Sequence, residues 1–434
     1  MGEAAAETLF APATGFGRAA VAVIRVSGPQ AGAALMALGG APPPARRLSL
    51  RTLRDPADGT VLDKALVAFF PGPATYSGED MAELHLHGGS AVRAGVLAAL
   101  GRIPGCRLAR PGEFTRRAVL NGRMDLAEAE GVADLIDAET EGQRRQALRQ
   151  LDGVLSRQVA AWRDEAIACL AGAEAALDFS DEGDVDDEGL DAALTGRVKA
   201  LRAAIAAALA DGRRGERLRD GFWVVLAGAP NAGKSTLLNA LAQRDAAIVS
   251  DRPGTTRDAI EVRLDLDGLP VVLVDTAGLR ETDEAVEAEG IRRSRARIAQ
   301  ADLVLALVPP GGTPPETGET PALPVWTKAD LLTGAPSGLA VSARTGQGLS
   351  ALIDALRARV EGGLGQGDAL ITRARHRDAL ERCLGHLDRL LGGGPPELVA
   401  EDLRLAVRAL GEIGGHVGVE DILDRLFAGF CIGK

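Results

Sequence analysis

The run GAPNAGKST, from Gly228 to Thr236, restricts the possible folds of this chain more than any other segment. Its glycines allow backbone N–H groups to approach phosphate oxygens, its lysine can reach the outer phosphates, and the hydroxyl of Ser235 suits a magnesium ion. An apolar run, WVVLAG, precedes it, and a helix-like run, STLLNALAQ, follows it. The sequence therefore predicts a phosphate-binding loop that connects a strand to a helix.

Apolar runs after this loop alternate with helical stretches, which is typical of a parallel sheet wound by crossover helices. These runs are Val271–Asp275, Leu303–Val308 and Leu323–Thr327. Polar motifs follow them in the order expected of a Ras-like domain: DTAG, then TKAD, then SAR. Asp275 of DTAG is expected in the magnesium shell, with the Gly278 amide near the γ-phosphate.

Residues of these motifs are predicted to bind GTP. They are Asn231, Ala232, Gly233, Lys234, Ser235, Thr236, Ser250, Asp251, Arg252, Pro253, Gly254, Thr255, Thr256, Asp275, Thr276, Ala277, Gly278, Thr327, Lys328, Asp330, Ser342, Ala343 and Arg344. The magnesium ligands are predicted to be Ser235 of the phosphate loop and Thr256, the candidate switch threonine.

Thr327 stands where the usual base-reading motif has Asn. Asp330 can accept both guanine N–H donors in a charge-assisted pair of about 1.5–3 kcal/mol, whereas a neutral hydrogen bond contributes about 0.5–1.5 kcal/mol. Preference for guanine is therefore expected to survive this substitution in weakened form.

The catalytic group for hydrolysis is not fixed by these motifs. Leu279 occupies the position after DTAG where Ras-type enzymes carry a glutamine that orients the attacking water. The next segment offers four candidates, any of which could act as base or orient water: Glu281, Glu284, Glu287 and Glu289. No arginine finger is evident, and a cation held by Asn231 and the SDRPGTT stretch could replace one.

The length of the chain and the change in its apolar pattern along the sequence predict several domains. A chain of 434 residues is too long for one ordinary core. The predicted fold class is multidomain α/β plus all-α, with a Ras-like phosphate-loop domain and its mostly parallel sheet inserted into a helical domain. The predicted boundaries are an N-terminal α+β domain at 1–120, a first helical part at 121–218, the nucleotide domain at 219–362 and a second helical part at 363–434.

Four finer features of secondary structure are predicted within these domains. The apolar spacing of Leu148, Leu151, Leu155, Val159 and Trp162 predicts one long helix. The acidic run 178–191 and the Pro/Gly-rich run 309–324 are predicted to be loops. Basic clusters at Arg144, Arg145 and Arg149 and at 373–377 are interpreted as solvated helix faces, with a tRNA path as the alternative.

Composition limits the cellular setting. The formal net charge of −11 argues against a protein that coats nucleic acid indiscriminately, although it permits a local basic patch. The four cysteines have no paired spacing, so neither a disulfide framework nor a zinc site is expected. No apolar run of about 18 residues and no secretory leader is evident, so a cytoplasmic protein without membrane association is expected.

Four further motifs resemble those of the MnmE (TrmE) family of tRNA-modifying GTPases. They are ATGFGRAAVAVIRVSG at 13–28, YSGEDMAELHLHGG at 76–89, RLARPGEFTRRAVLNGRMDLAEAE at 107–130 and the terminal FCIGK at 430–434. The resemblance extends over essentially the whole chain. It implies a homodimeric, potassium-dependent GTPase that acts with an FAD-dependent partner of the MnmG (GidA) family, in a heterotetramer, on tRNA.

The resemblance also assigns roles to residues of the nucleotide domain. It implies potassium ligands at Asn231, Ser250, Arg252 and Thr255, with Arg252 contributing only its backbone carbonyl. It places the glutamate that orients the attacking water at Glu287, and so resolves the choice among the four candidates.

Outside the nucleotide domain, the resemblance implies a folate site and a modification site. The N-terminal domain would dimerise and bind 5-formyltetrahydrofolate or a related one-carbon folate through Arg25, Glu83, Arg123 and the terminal Lys434. Cys431 of FCIGK would be a catalytic thiol of the modification. His85 and His87 alternate along ELHLH, and pocket or packing roles are expected for them in preference to a metal site.

The reaction implied is addition of a (carboxymethyl)aminomethyl group to C5 of the wobble uridine, with GTP turnover gating the complex. The alternative is a GTP-switched RNA-binding assembly factor without covalent chemistry, which the nucleotide motifs alone would equally permit.

Overall fold

The computed structural model describes most of the chain. The described residues are 7–15, 17–178, 187–211, 213–244, 246–248, 261–275, 295–332, 334, 338–364, 369–415, 426–427, 430 and 433, with only the backbone described at 178 and 187–191. The chain divides into two compact units, Met1–Ala133 with Gly411–Lys434, and Asp134–Leu410. Within the described residues, no helix is both long and apolar enough to span a membrane.

The first unit is built on a six-stranded sheet of order β3-β4-β5-β2-β1-β6. The elements that begin in Met1–Ala133 are β1 Thr8–Pro12, β2 Val21–Ser27, α1 Ala31–Gly39, β3 Ser49–Arg54, β4 Val61–Phe70, β5 Met81–His87, α2 Ser90–Gly101, β6 Cys106–Leu108, α3 Glu113–Leu120 and α4 Leu126–Asp137. Among its described strand pairs, all are antiparallel except β1 with β6. The predicted α+β character of this region is confirmed.

The two faces of this sheet differ in burial because the side chains of a strand alternate. Residues such as Ile24, Leu84 and Val67 form a core with α1 and α2 on one face. The opposite face is covered near β1, where Leu9 and Phe114 pack together. Towards β3 and β4 that face is open. Burial alternates along β2, and Val23 and Arg25, which lie on the open face, are only partly buried.

The second unit contains the predicted mostly parallel sheet, in the order β12-β11-β10-β7-β9-β8. Only β8 with β9 is antiparallel among its described pairs. The elements that begin in this unit are α5 Glu141–Leu151, α6 Val154–Asp178, α7 Asp187–Leu209, α8 Arg214–Asp220, β7 Phe222–Ala227, α9 Lys234–Ala242, β8 Glu261–Leu266, β9 Leu269–Asp275, β10 Leu303–Val308, β11 Ala322–Trp326, β12 Leu339–Ala340, α10 Leu349–Leu364, α11 Ala374–Leu391 and α12 Pro396–Gly414.

The core of this sheet is aliphatic. Strand residues such as Leu226, Leu273 and Leu305 pack against the inner faces of α9 and α10, including Leu238 and Leu356. β10 is buried along its whole length and β9 from its second residue onwards, as expected of strands covered on both faces. This packing fixes the carboxyl ends of β7 and β9, where the phosphate-loop and DTAG motifs begin.

The prediction of one long helix through Trp162 was wrong. The helix ends at Leu151, and a new one begins at Val154. Gly153 adopts a left-handed conformation with φ 73°, which a continuous α-helix does not contain. The apolar spacing continues across this break, although Leu148 and Leu151 of the first helix are only partly buried and its buried residues are Gln143, Ala147 and Gln150.

Two loop predictions were partly wrong. In the acidic run, residues 187–191 form the first turn of α7, and 179–186 lie outside the described residues. In the Pro/Gly-rich run, Ala322 to Pro324 already belong to β11, which pairs in parallel with β10.

The interpretation of the basic cluster at 373–377 as a solvated helix face was also wrong for three of its members. Arg373 forms an ion pair of 2.5 Å with Asp134, Arg377 pairs with Glu216, and the side chain of His376 is fully buried. Arg144 and Arg145 do lie on an exposed face, where both pair with Glu141.

Candidate nucleotide and folate sites

The phosphate loop leaves β7 and enters α9 as predicted. Asn231 and Gly233 both have positive φ values, 64° and 93°. Glycine adopts this conformation freely, and Asn does so more readily than most residues, so the sequence fits the bend of the loop. Gly228 is held closely, since a Cβ at that position would lie 2.8 Å from the Leu307 carbonyl oxygen.

Lys234 is nearly buried at the start of α9. Its Nζ donates to the carbonyl oxygens of Gly228 and Ala229, at 2.9 and 3.1 Å. Burial lowers the pKa of this ammonium group, while the carboxylate of Asp275 opposes the shift. The lysine is therefore held over the loop by two backbone acceptors, a position from which it can meet an anion.

Ser235 and Asp275 bring together the two oxygens expected near magnesium. The Ser235 hydroxyl donates to Asp275 Oδ2 at 2.6 Å, and the Asp275 side chain has no exposed surface. A hydroxyl and a buried carboxylate are hard oxygen donors of the kind that magnesium prefers. The described residues contain no group of three or more His, Cys, Asp or Glu side chains that could hold a metal on their own.

A cavity of about 230 Å³ adjoins the phosphate loop. The phosphate loop and the TKAD and SAR motifs all contribute to its lining, which consists of Gly233, Thr236, Leu237, Thr327, Lys328, Asp330, Leu331, Val341, Ser342, Ala343 and Arg344. Lys328 has φ 54°, which turns the chain between β11 and a short 3-10 helix at Ala329–Leu331. The cavity has the lining expected of a site for a planar base.

Asp330 is held at this cavity in its ionised form. Its pKa is lowered mainly because the Ser342 side chain donates a hydrogen bond to its carboxylate, and the positive charge of Arg344 contributes further. An ionised carboxylate only accepts hydrogen bonds, so it suits a base edge that carries two N–H donors.

Thr327 has a role that sequence reasoning missed. Its hydroxyl donates to the Ala232 carbonyl oxygen at 2.7 Å, and the residue is buried. The side chain at the head of the base-reading motif thus fastens that motif to the phosphate loop. The only sequence signal for this contact is that Thr, like the usual Asn, keeps a hydrogen-bond donor at this position.

Two of the predicted folate residues meet in the first unit. Arg25 and Glu83 are cross-strand partners on β2 and β5, and Arg25 Nη2 lies 3.2 Å from Glu83 Oε1. Arg123 donates instead to the Thr75 carbonyl oxygen at 3.1 Å. Sequence reasoning missed Tyr76, whose ring lies 5.3 Å from the Arg25 guanidinium carbon.

Tyr76 lies beside the contacts that Arg25 and Arg123 make. Burial raises the pKa of its hydroxyl group, which forms a 2.7 Å hydrogen bond with Thr115. It follows directly on Thr75, so the residue contacted by Arg123 and the ring contacted by Arg25 are neighbours in the chain. The arrangement offers a cation, a carboxylate and an aromatic ring close together.

His85 and His87 have separate acidic partners. His85 Nε2 lies 3.4 Å from Glu83 Oε2, and His87 Nδ1 lies 2.7 Å from Asp63 Oδ1. The His85 side chain is partly buried, whereas that of His87 is 71% exposed, so a packing role does not describe His87.

Comparisons with known proteins cover nearly the whole chain. The model described as "GTP-binding protein TrmE N-terminus" matches residues 8–123, and the model described as "MnmE helical domain" matches residues 126–431. The chain is 75% identical to the tRNA modification GTPase MnmE of Methylobacterium radiotolerans, with 99% of each chain covered. This chain belongs to the MnmE (TrmE) family.

Further MnmE relatives agree with this assignment. The chain is 73% identical to the tRNA modification GTPase MnmE of Methylorubrum populi, with 99% of the chain and 98% of the relative covered. It is 54% identical to the protein of the same name from Parvibaculum lavamentivorans, with 99% and 100% covered. Among solved structures, the G domain of the T. maritima FeoB iron transporter matches 33% of the chain at 22% identity and a TM-score of 0.24, too low to support any argument.

The remaining predicted site residues of this MnmE family member lie outside the described residues. They are Ser250, Asp251, Arg252, Pro253, Gly254, Thr255, Thr256, Thr276, Ala277, Gly278, Glu287, Cys431 and Lys434. Their predicted roles stay predictions.

Proposed function

We propose that this chain is a potassium-dependent GTPase that works with an FAD-dependent partner of the MnmG (GidA) family to modify C5 of the wobble uridine of certain tRNAs. The observation that carries the proposal is the cavity in which Asp330, Ser342 and the phosphate loop meet, in a chain 75% identical to a tRNA modification GTPase. GTP hydrolysis would gate the assembly, and the modification would add a (carboxymethyl)aminomethyl group.

The metal requirements rest on the oxygen donors of the nucleotide site. Ser235 would contribute its hydroxyl to magnesium, with Asp275 in the surrounding shell and Thr256 as the second predicted ligand. Asn231 would hold potassium through its side-chain oxygen, together with Ser250, Thr255 and the carbonyl of Arg252. A bound cation at this position would supply positive charge to the phosphates, as an arginine finger does elsewhere.

The domain arrangement and the homodimer also belong to the proposal. The boundaries at 120, 218 and 362, with the nucleotide domain inserted between two helical parts, are retained as predicted. Support for dimerisation through the N-terminal domain comes from its open sheet face, where Leu50 and Leu66 are cross-strand partners and are 65% and 43% exposed. Apolar side chains paired on an open sheet face favour burial against a second copy.

Folate binding would use the same sheet face. Arg25 and Glu83 would contact the charged and hydrogen-bonding groups of 5-formyltetrahydrofolate or a related folate, and Tyr76 offers an aromatic surface beside Arg25. Arg123 and Lys434 complete the predicted set. Gly433 lies against Pro12, since a Cβ on it would come within 2.0 Å of the Pro12 carbonyl oxygen, so the residue before Lys434 belongs to the same unit as Arg25.

Replacing sodium with potassium is expected to raise the rate of GTP hydrolysis at least about tenfold, because a cation beside the phosphates stabilises the charge of the transition state. Steady-state phosphate release should be measured in potassium, sodium and choline chloride at one ionic strength, with choline as the control for salt. Equal rates in the three salts would contradict the potassium site.

The modification itself is tested by nucleoside analysis of tRNA from cells that lack this protein. The (carboxymethyl)aminomethyl group at the wobble uridine should disappear and return with the wild-type chain. Cys431→Ser should leave GTP hydrolysis normal and fail to restore the group, because serine lacks a thiolate at neutral pH. Cys106→Ser, a second thiol of the same unit, is the matched control and should restore it.

The same experiment separates this function from the alternative. A GTP-switched assembly factor without covalent chemistry would leave the nucleoside profile unchanged with Cys431→Ser, while loss of GTP hydrolysis would block ribosome maturation. That pair of results would favour the assembly factor.

A further inference from the structure

The edge strand β8 is joined to the segment that precedes the predicted potassium loop. Ile248 N donates to the Arg263 carbonyl oxygen at 2.9 Å, and Asp265 N donates to the Ala246 carbonyl oxygen at 2.8 Å. The chain leaves Ile248, passes through residues 249–260, and returns at Glu261 as the first residue of β8. Both ends of this twelve-residue segment are therefore attached to one short stretch of β8.

Arg263, in the middle of that stretch, is held from outside the sheet. Its Nη1 donates to Glu139 Oε2 at 3.0 Å. Glu139 is itself fixed, because its backbone N–H donates to Gln143 Oε1 at 2.9 Å, and the same oxygen accepts from Thr140 N at 3.0 Å. Thr140 and Gln143 form the capping box of α5, so Glu139 is anchored to a helix end.

A second contact joins α5 to the far end of the β8–β9 hairpin. Gly142 N donates to the Gly268 carbonyl oxygen at 3.1 Å. No side chain fits between them, since a Cβ on Gly142 would lie 2.5 Å from that oxygen and 3.1 Å from Leu218 Cδ1. The N-terminal end of α5 thus contacts both the turn of the hairpin and the side chain of Arg263.

We propose that Glu139 is a positioning residue for GTP hydrolysis. Through Arg263 it sets the position of β8, and β8 in turn fixes both ends of the segment that carries Ser250, Thr255 and Thr256. The inference deepens the proposed function and rests on it, because it concerns the rate of that same hydrolysis. It assigns to the start of α5 the task of keeping the ends of the predicted cation loop in register.

β8 is an edge strand of its sheet, so a contact with one of its side chains can affect how firmly the strand is held. It pairs along its length with β9, and within the described residues its other edge meets residues 246–248. Arg263 is partly exposed, so its contact with Glu139 adds a side-chain hold on this strand to the ladder with β9 and to the burial of Leu264 and Leu266. Small displacements of groups around a reacting phosphate reduce rates strongly, whereas nucleotide binding depends on the phosphate loop and Asp330.

Reversal of the ion pair tests this assignment. Glu139→Arg and Arg263→Glu should each lower the kcat of GTP hydrolysis about threefold to fivefold, since a partly exposed pair of this kind contributes little more. The affinity for GTP, measured with a fluorescent analogue, should be unchanged. The double variant, in which the charges are exchanged, should regain most of the wild-type kcat, with kcat expressed per GTP-binding site so that a loss of folded protein in a single variant is not counted as a loss of kcat.

Glu165 and Arg197 provide a matched control pair. They join α6 to α7 at 2.7 Å, outside the sheet, and their side chains are 40% and 46% exposed, against 21% and 40% for Glu139 and Arg263. Glu165→Arg and Arg197→Glu should leave kcat unchanged. Gly142→Ala, which must displace the hairpin turn, should lower kcat by about fivefold or more, whereas Gly172→Ala, with open space around a Cβ, should not.

The outcomes are distinct. If the wild-type chain hydrolyses GTP and the Glu139, Arg263 and Gly142 variants have the same kcat, the positioning role alone is overturned. An equal loss in the Glu165 and Arg197 variants would also overturn it, because the effect would then be general destabilisation. Absence of GTP hydrolysis by the wild-type chain would overturn the proposed function and this inference together.

Discussion

Asp330→Asn is expected to lower the affinity for GTP by about 10- to 150-fold and to create affinity for xanthosine triphosphate. The lost charge-assisted hydrogen bonding to the guanine N–H groups corresponds to about 1.5–3 kcal/mol. Xanthine carries a carbonyl oxygen where guanine carries its amino group, and an Asn amide can donate to that oxygen. Competition of GTP, xanthosine triphosphate and ATP against a fluorescent GDP analogue would measure all three affinities.

Asp354→Asn is the control for this substitution, because Asp354 is an exposed acid of α10 that does not line the cavity. It should leave all three affinities as in the wild type. Unchanged GTP affinity in Asp330→Asn would show that the cavity does not read the guanine edge. ATP should remain a weak competitor in every case, since adenine lacks the pair of donors that the Asp330 carboxylate accepts.

Local sequence was sufficient to predict the strands of the nucleotide unit. The runs from Val271 and from Leu303 end in β9 and β10 at the predicted residues, Asp275 and Val308. Buried parallel strands are continuous apolar runs, and their ends are marked by glycine or polar residues, so the information lies within a few neighbouring positions. The phosphate loop was predictable for the same reason.

Contacts between distant segments were not predictable in this way. Thr327 and Ala232 are 95 residues apart, and their hydrogen bond joins two motifs that sequence reasoning treated separately. Arg373 and Asp134 are 239 residues apart, so Arg373 was read as part of a solvated basic face. A charged residue in a helical pattern carries no sign of whether its partner is water or an acid from another element.

The break between α5 and α6 shows a different limit. Apolar residues recur on the same spacing before and after it, and periodicity alone therefore predicts one helix. Gly153 was the available signal, because glycine at a helix end often adopts the left-handed conformation found there. A glycine inside a helical pattern is also tolerated at a modest cost, as Gly172 in α6 shows, so the signal did not decide the matter.

Glu287→Ala is expected to lower the kcat of GTP hydrolysis by about 10²- to 10⁴-fold, the contribution of a positioned group that orients or deprotonates water. GTP affinity should remain close to that of the wild type, because the cavity residues and Lys234 are untouched. Single-turnover hydrolysis, measured beside equilibrium binding of a fluorescent analogue, separates the two quantities.

Three neighbouring acids provide matched controls for Glu287, since each was an equal candidate on the residues alone. Glu281→Ala, Glu284→Ala and Glu289→Ala should each retain kcat within a few-fold of the wild type. A large loss in one of these variants, with normal turnover in Glu287→Ala, would move the water-orienting role to that residue. Leu279 has no group that could orient water. Normal turnover in all four glutamate variants would therefore mean that the attacking water is held from outside the segment that follows DTAG.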